Sequence, residues 1–240
     1  MRLSLARPKA NIIDAAMINA LSTAFDTIPA DTALCGVLLD HEGPHFSFGA
    51  SVEEHLPASC AAMLSALHGL IGQMLDCPVP LLVAVSGQCL GGGFELAAAG
   101  GLIFTSPEAR FGQPEIKLAV LAPAASALLP ERIAQMHAED LLMSGRSISG
   151  EKAVQIGLAI DASDDPQAAA LAYFDEHLAP LSASSLRFSV KAARSAFAAR
   201  AKARLAVLEK LYLDELMQTK DAHEGLTAFL EKRAAKWEHR

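Results

Sequence analysis

The feature that most constrains the fold of this 240-residue chain is an apolar run that ends in glycines. Residues 81–86 are continuously apolar up to a final serine, which is typical of a buried strand, and Gly87 ends the run. Three glycines at 91–93 then open a helix that ends at Gly100. A strand, a glycine turn and a helix in this order predict one unit of an α/β sheet with helices on its faces.

The same alternation extends over the N-terminal half, whereas the C-terminal half is helical. Asp14 is the predicted cap of its helix, Ser149 caps a helix that ends at Gly157, and Pro166 opens another. Almost every residue from 182 onwards favours helix, with Gly225 as the main interruption. We therefore predict an α/β core over residues 1–180 and a helical region over 181–240. The predicted strands are 3–6, 34–40, 81–86 and 102–105, and the predicted helices of the first half are 14–28, 59–75 and 92–100.

Composition and charge exclude several classes of protein. Hydrophobic residues make up 52% of the chain, which suffices for a large core, and the net charge of −7 argues against nucleic-acid binding. We see no signal peptide and no apolar stretch long enough to span a membrane, and therefore expect a soluble, cytoplasmic protein. The four cysteines lack CxxC spacing and are expected to be reduced, buried thiols, and the histidines lack metal-ligand spacing.

The glycine triplet does not match the common phosphate-binding motifs. A P-loop requires a Lys-Ser or Lys-Thr pair after its glycines, and a dinucleotide site requires GxGxxG, and neither pattern is present. Two interpretations remain. The triplet is a tight turn that allows close packing, or its free backbone N–H groups bind a negatively charged oxygen.

Two glutamates strengthen the second interpretation. Glu95 lies in the first turn of the helix after the triplet, where the helix dipole is expected to favour its ionised form. Glu115 follows twenty residues later in a loop shaped by glycine and proline. A pair of carboxylates can act as acid and base on one alkene. Among weaker signals, Ser149 and Lys152 are read as a helix cap, and His45 and His55 as loop-surface residues.

Several segments together resemble the crotonase (enoyl-CoA hydratase/isomerase) superfamily. The matching segments are RPKAN at 7–11, FGA at 48–50, PLLVAVSGQCLGGGFE at 80–95, ARFGQPE at 109–115, LMSGRSISGEKAVQIGL at 142–158 and DAHEGLTAFLEKR at 221–233. The resemblance implies a crotonase-like spiral of ββα units with a C-terminal helical region, in trimers that often pair into hexamers. It also implies an acyl-CoA substrate, with coenzyme A belonging to the substrate and no cofactor or metal required.

The resemblance assigns roles to individual residues. The oxyanion hole would be the N–H groups of Ala50 and Gly92, and the catalytic carboxylates would be Glu95 and Glu115. Pro123 occupies a position where a family glycine often holds water through its amide, and proline has no N–H. The residues expected to contact substrate are Lys9, Ala10, Phe48, Gly49, Ser51, Gly91 and Pro123.

A narrower resemblance concerns the substrate. Residues 9–14 and 45–57 are similar to family members that hydrate cyclic dienoyl-CoA thioesters in anaerobic benzoyl-CoA breakdown, and Ser51 replaces the Asp of ordinary hydratases. This predicts conversion of cyclohexa-1,5-diene-1-carbonyl-CoA into 6-hydroxycyclohex-1-ene-1-carbonyl-CoA. A generic enoyl-CoA hydratase, an isomerase and a non-catalytic binding protein of the same fold are the alternatives. The family also has a strand before residue 3, so a thinner sheet edge is expected here.

Overall fold

A five-stranded parallel sheet organises the computed structural model, which describes residues 1–240. The strands are β1 (Arg2–Leu5), β2 (Val37–His41), β3 (Leu81–Val85), β4 (Gln88–Leu90), β5 (Leu102–Thr105), β6 (Arg110–Gly112), β7 (Ser147–Ser149) and β8 (Asp161–Ala162). The order in the larger sheet is β1-β2-β3-β5-β8. A second sheet of three short strands, in the order β4-β6-β7, carries the segments that lead to the two glutamates.

Nine α-helices cover the sheets. The larger sheet is buried on both faces, since one face belongs to the main core and the other lies under α7, and this explains why β3 is apolar at every position. No helix is both long and apolar enough to cross a lipid bilayer. The helices are α1 (Ala15–Thr27), α2 (Cys60–Leu75), α3 (Gly92–Ala99), α4 (Pro123–Arg132), α5 (Gln135–Ser144), α6 (Gly150–Gln155), α7 (Pro166–His177), α8 (Ala183–Lys210) and α9 (Lys220–Leu230).

The elements predicted in the N-terminal half are present, with small shifts of their ends. The side chain of Asp14 accepts a hydrogen bond from the Met17 amide at 2.9 Å and caps α1 as predicted. Strand β5 has its predicted bounds, β1 begins one residue earlier than predicted, and β2 begins three residues later. Ser149 caps α6 by accepting from the Lys152 amide at 3.1 Å. The α/β fold class is therefore confirmed.

Four short strands escaped the sequence analysis. β4, β6, β7 and β8 contain two or three residues each, which is too short for an alternating pattern to be visible. Two of them, β7 and β8, lie in the C-terminal half, where the sequence pattern was expected to be helical. The expectation for the cysteines also needs one correction, because Cys35 is only half-buried while the other three free thiols are buried.

The C-terminal region differs from the predicted helix at two places. A π-helical turn (Leu211–Glu215) and a 3-10 turn (Leu216–Gln218) separate α8 from α9, and no helix continues after Leu230. Gly225 does not interrupt the helix; it lies inside α9, where a Cβ would stand 2.1 Å from the carbonyl oxygen of Leu118. Glycine at this position lets α9 approach the turn that carries Glu115. The boundary between 180 and 181 stays a prediction.

Gly225→Ala should therefore destabilise the protein, because the added methyl group meets backbone that cannot move without shifting the Glu115 turn. We expect a loss of about 2 kcal/mol in the free energy of unfolding, measured by urea denaturation. Gly69→Ala is the matched control, since Gly69 lies in α2 with nothing within 4 Å of the new Cβ. That variant should gain about 0.5–1 kcal/mol from helix propensity, and equal effects of the two substitutions would contradict the packing argument.

Candidate active site

Two backbone segments meet beside the start of α3. Residues 46–50 lie parallel to β4, with the Leu90 amide donating to the Ser47 carbonyl at 3.0 Å and the Ser47 amide donating to the Gln88 carbonyl at 2.9 Å. At the end of this pairing a Cβ on Gly92 would lie 3.1 Å from the Ala50 nitrogen. Neither the Ala50 nor the Gly92 amide has an acceptor within the chain. The structure thus brings together the two N–H groups expected to bind a carbonyl oxygen.

The glycine triplet is explained by close packing at every position. Gly91 has a φ of +50°, which favours glycine, and a Cβ there would lie 2.6 Å from Oε1 of Glu115. A Cβ on Gly93 would lie 2.5 Å from that of Ser47. The tight-turn interpretation of the triplet is therefore confirmed, and the same packing places the Gly92 amide beside Ala50 and leaves room for the Glu115 carboxylate. Binding of a negatively charged oxygen by these amides stays a prediction.

Glu95 is buried at the junction of α3 and α4. Its Oε1 accepts a hydrogen bond from the Ala125 amide at 2.8 Å, so the carboxylate occupies the amino-terminal end of α4. Pro123 is the first residue of that helix, a position where a missing N–H costs nothing. Burial raises the pKa of Glu95, although the Ala125 amide opposes the shift. The net shift is upward because desolvation outweighs the groups that favour the ionised form of Glu95, and the expected contribution of the dipole of α3 stays a prediction.

Glu115 lies opposite, on a 3-10 turn (Pro114–Leu118) that follows β6. Burial, together with the negative charge of Glu95, raises the pKa of Glu115 to about 8. Gln113 reaches the same carboxylate: with its side-chain nitrogen turned towards Glu115 it donates to Oε1 at 3.1 Å and to Oε2 at 2.9 Å. Two carboxyl groups so placed resist double ionisation, which favours one proton shared unequally between them at neutral pH.

A cavity of about 70 Å³ lies next to Glu115. Its wall is mostly apolar, and Leu226 closes one side from α9, which agrees with an apolar reacting group. Phe48, Gly49 and Gly91 line it as predicted. A larger groove of about 590 Å³ between the end of α2 and α8 contains neither glutamate. The residues lining the smaller cavity are Phe48, Gly49, Ala50, Val52, His55, Gly91, Pro114, Glu115, Leu118, Val120 and Leu226.

Four of the predicted contact residues do not line this cavity. Lys9 is exposed, and Ala10 is tied to the site only through its carbonyl, which accepts from the Phe48 amide at 2.9 Å. The Ser51 hydroxyl donates to the Glu53 carboxylate at 3.1 Å and not to Glu95 or Glu115. Pro123 is buried behind Glu95 at the start of α4.

Sequence reasoning also missed residues that the fold brings to the site. His55, expected on the loop surface, lines the cavity, and burial lowers its pKa so that it is neutral at neutral pH. Gln113 lies inside the ARFGQPE segment at 109–115, and the match of this segment to the family is the signal that could have identified Gln113 as a site residue. His68 of α2 and Tyr212 of the π-helical turn approach the glutamates only through tertiary packing, and no local sequence pattern indicates them.

Comparison with known proteins agrees with this geometry. The family model described as enoyl-CoA hydratase/isomerase matches residues 1–240, and the chain belongs to this family. An enoyl-CoA hydratase structure from Mycobacterium avium superposes with a TM-score of 0.86 at 24% identity, covering 98% of this chain and 92% of that one. The enoyl-CoA hydratase/isomerase structure from Pseudoalteromonas atlantica gives 0.83 at 26% identity, covering 98% and 96%. The crotonase-like fold is thereby confirmed.

Among individual relatives, the cyclohexa-1,5-dienecarbonyl-CoA hydratase of Thauera aromatica is 62% identical over 240 residues. The match covers 100% of this chain and 93% of the relative.

The raised pKa of Glu115 predicts a pH-dependent cost to stability. Its ordinary value is 4.5 and its folded value about 8, so the folded state loses stability as pH rises between these values and no further above them. Glu115→Gln removes this loss. The difference in melting temperature between the variant and the native chain should therefore grow in the variant's favour from pH 4.5 to pH 8. Exposed Glu108→Gln is the control, and a pH-independent difference for Glu115→Gln would contradict the raised pKa.

Proposed function

We propose that this chain adds water to a cyclic conjugated dienoyl-CoA thioester, cyclohexa-1,5-diene-1-carbonyl-CoA, and forms 6-hydroxycyclohex-1-ene-1-carbonyl-CoA during the degradation of aromatic compounds. The observation that carries the proposal is the pair of buried glutamates beside the unpaired Ala50 and Gly92 amides. The substrate class is supported by the 62% identity with the Thauera aromatica enzyme over the whole chain.

The two amides bind the thioester carbonyl oxygen. Attack on the ring carbon β to the carbonyl moves the π electrons towards that oxygen, so negative charge develops there during the reaction. Donors fixed by the β4 pairing need no reorganisation as the charge appears. A single oxyanion-hole donor contributes about 3–4 kcal/mol to barrier lowering in well-studied enzymes, which makes this contact a main contribution of the protein.

The surroundings of the two carboxyl groups assign their roles. The Ala125 amide stabilises the ionised form of Glu95, whereas burial and the neighbouring charge keep Glu115 protonated up to a pH of about 8. Glu95 is therefore the base, which takes a proton from water while the water oxygen bonds to the β carbon. Glu115 is the acid, which gives its proton to the carbon skeleton as the thioester carbonyl re-forms.

Water is held differently from the usual arrangement in the family. Pro123 has no N–H, and the Ala125 amide is already bonded to Glu95. The attacking water is thus held by the carboxyl groups themselves. The missing amide also favours the second candidate, an enoyl-CoA isomerase in which the glutamates move a proton and no water is added.

Hydration of the dienoyl thioester tests the proposal directly. Cyclohexa-1,5-diene-1-carbonyl-CoA should be hydrated faster than crotonyl-CoA, as measured by mass spectrometry of the product in labelled water. Glu95→Gln and Glu115→Gln should each lower kcat by about 100- to 10,000-fold. Double-bond migration without incorporation of label would establish the isomerase instead. Full activity of Glu115→Gln would contradict the two-carboxylate mechanism.

No cofactor enters this mechanism, and coenzyme A is part of the substrate. We propose that Lys9 and Ala10 contact the coenzyme A portion of the substrate. The Ala10 carbonyl accepts a hydrogen bond from the amide of Phe48, which lines the cavity. Ser51, half-buried and next to the Ala50 amide, and Pro123, behind Glu95, stay predicted substrate contacts. Residence in the cytoplasm also stays a prediction.

We further propose that the chain forms homotrimers that can pair into hexamers. Helix α8 exposes large apolar side chains, with Phe188 at 74% and Val207 at 58% exposure, and such side chains are typical of subunit contacts. Light scattering on the purified protein should give a mass of three or six chains of 25.3 kDa. A mass of one chain at micromolar concentration would contradict this assembly.

A further inference from the structure

His55 is held in the wall of the cavity by a hydrogen bond to backbone. It ends a 3-10 turn (Glu53–His55), and its Nδ1 lies 2.7 Å from the carbonyl oxygen of Ser51. Ser51 directly follows Ala50, one of the two residues whose amides have no acceptor within the chain. The imidazole is therefore anchored to the same backbone segment that carries half of the proposed oxyanion hole.

This anchor fixes which ring nitrogen of His55 is an acceptor. A carbonyl oxygen can only accept, so Nδ1 carries a proton and Nε2 of the neutral imidazole is left as an acceptor. Burial lowers the pKa of His55, although the Ser51 carbonyl and the charge of Glu54 favour the protonated form, so the ring is neutral at neutral pH. Nε2 has no hydrogen-bond partner in the chain and keeps surface that a ligand can reach.

The cavity presents few other polar groups to a ligand. Among the side chains that line it, only those of His55 and Glu115 are polar. Both carboxylate oxygens of Glu115 lie within hydrogen-bond distance of the Gln113 amide, at 3.1 Å and 2.9 Å. The cavity measures about 70 Å³, so a group that enters it lies close to every residue of the wall. Nε2 of His55 is thus the side-chain acceptor that is free to bind such a group.

The bond to Ser51 does not by itself require histidine. The side-chain nitrogen of an asparagine lies at about the place of Nδ1 and can donate to the same carbonyl. An aliphatic side chain would complete the apolar wall without placing a polar atom in it. The second nitrogen, which has no structural partner, is what histidine adds at this position.

We propose that His55 is a specificity-determining residue whose Nε2 accepts a hydrogen bond from the ring hydroxyl of the hydrated thioester. The proposal rests on the proposed function. The dienoyl ring carries no hydroxyl, whereas its hydrated product retains one O–H bond of the attacking water. An acceptor in an apolar wall is paired when it meets this O–H and unpaired when it meets a C–H, so it favours the hydroxylated ring.

Binding of two ligands that differ by the hydroxyl group tests the proposal. The ligands are 6-hydroxycyclohex-1-ene-1-carbonyl-CoA and cyclohex-1-ene-1-carbonyl-CoA, and isothermal titration calorimetry measures their Kd. Every protein compared carries Glu95→Gln, which stops turnover and keeps the hydroxyl on the ring. His55→Asn retains a donor for the Ser51 carbonyl and lacks the second nitrogen. It should weaken binding of the hydroxylated ligand about tenfold and leave binding of the other ligand unchanged.

Glu53→Gln is the matched control, because Glu53 lies in the same 3-10 turn, is exposed and does not line the cavity. This variant should change neither Kd. His55→Leu takes the place of His55→Asn if that variant does not fold, and the same selective loss is expected of it.

Equal weakening of both ligands by His55→Asn would show that His55 only shapes the wall of the cavity. Unchanged Kd values for both ligands would show that Nε2 meets no hydroxyl, and either result would overturn the proposal. Failure of the native chain to hydrate the dienoyl thioester would instead refute the proposed function. The calorimetry needs no turnover, so it separates the two failures.

Discussion

Two carboxyl groups buried in one site are the interaction on which the rest of this structure depends. Glu95 and Glu115 each lose solvation on burial, and the charge of one disfavours the ionisation of the other. The fold resolves this conflict by giving them unequal surroundings. The amino-terminal end of α4 stabilises a carboxylate at Glu95, and Glu115 keeps its proton up to a pH of about 8. The roles proposed for Glu115 as acid and Glu95 as base follow from that inequality.

Backbone packing fixes the geometry around the pair. The glycines at 91–93 have backbone or side chains where a Cβ would stand, so this segment cannot relax without moving Ala50, Ser47 or Glu115. Gly225 restricts the Glu115 turn from the opposite side, because the absence of a Cβ lets α9 pack directly against that turn. The proposed oxyanion hole and the proposed acid, Glu115, are thus held by the same close contacts, which makes the positions of the two interdependent.

Sequence predicts the parts of this site that are local. The strand, the glycine turn and the helix from 81 to 100 are predicted by the apolar run and by the positions of the glycines. The resemblance of residues 109–115 to the family identifies Glu115 as a candidate. The inequality of the two glutamates could not be predicted in this way, because Ala125 lies thirty residues from Glu95 and acts only once α4 packs against α3. His68 and Tyr212 were missed for the same reason. Gly225 was misread as a helix break, since only the tertiary contact with Leu118 explains it.

The central claim is that one proton resides on Glu115 at neutral pH, and infrared spectroscopy of the ligand-free protein measures it most directly. The native chain at pH 7 should show the carbonyl stretch of a protonated buried carboxylic acid, which fades as pH rises through about 8. The band should be absent from Glu115→Gln. A native spectrum without this band at pH 7, or an unchanged band in Glu115→Gln, would contradict the account.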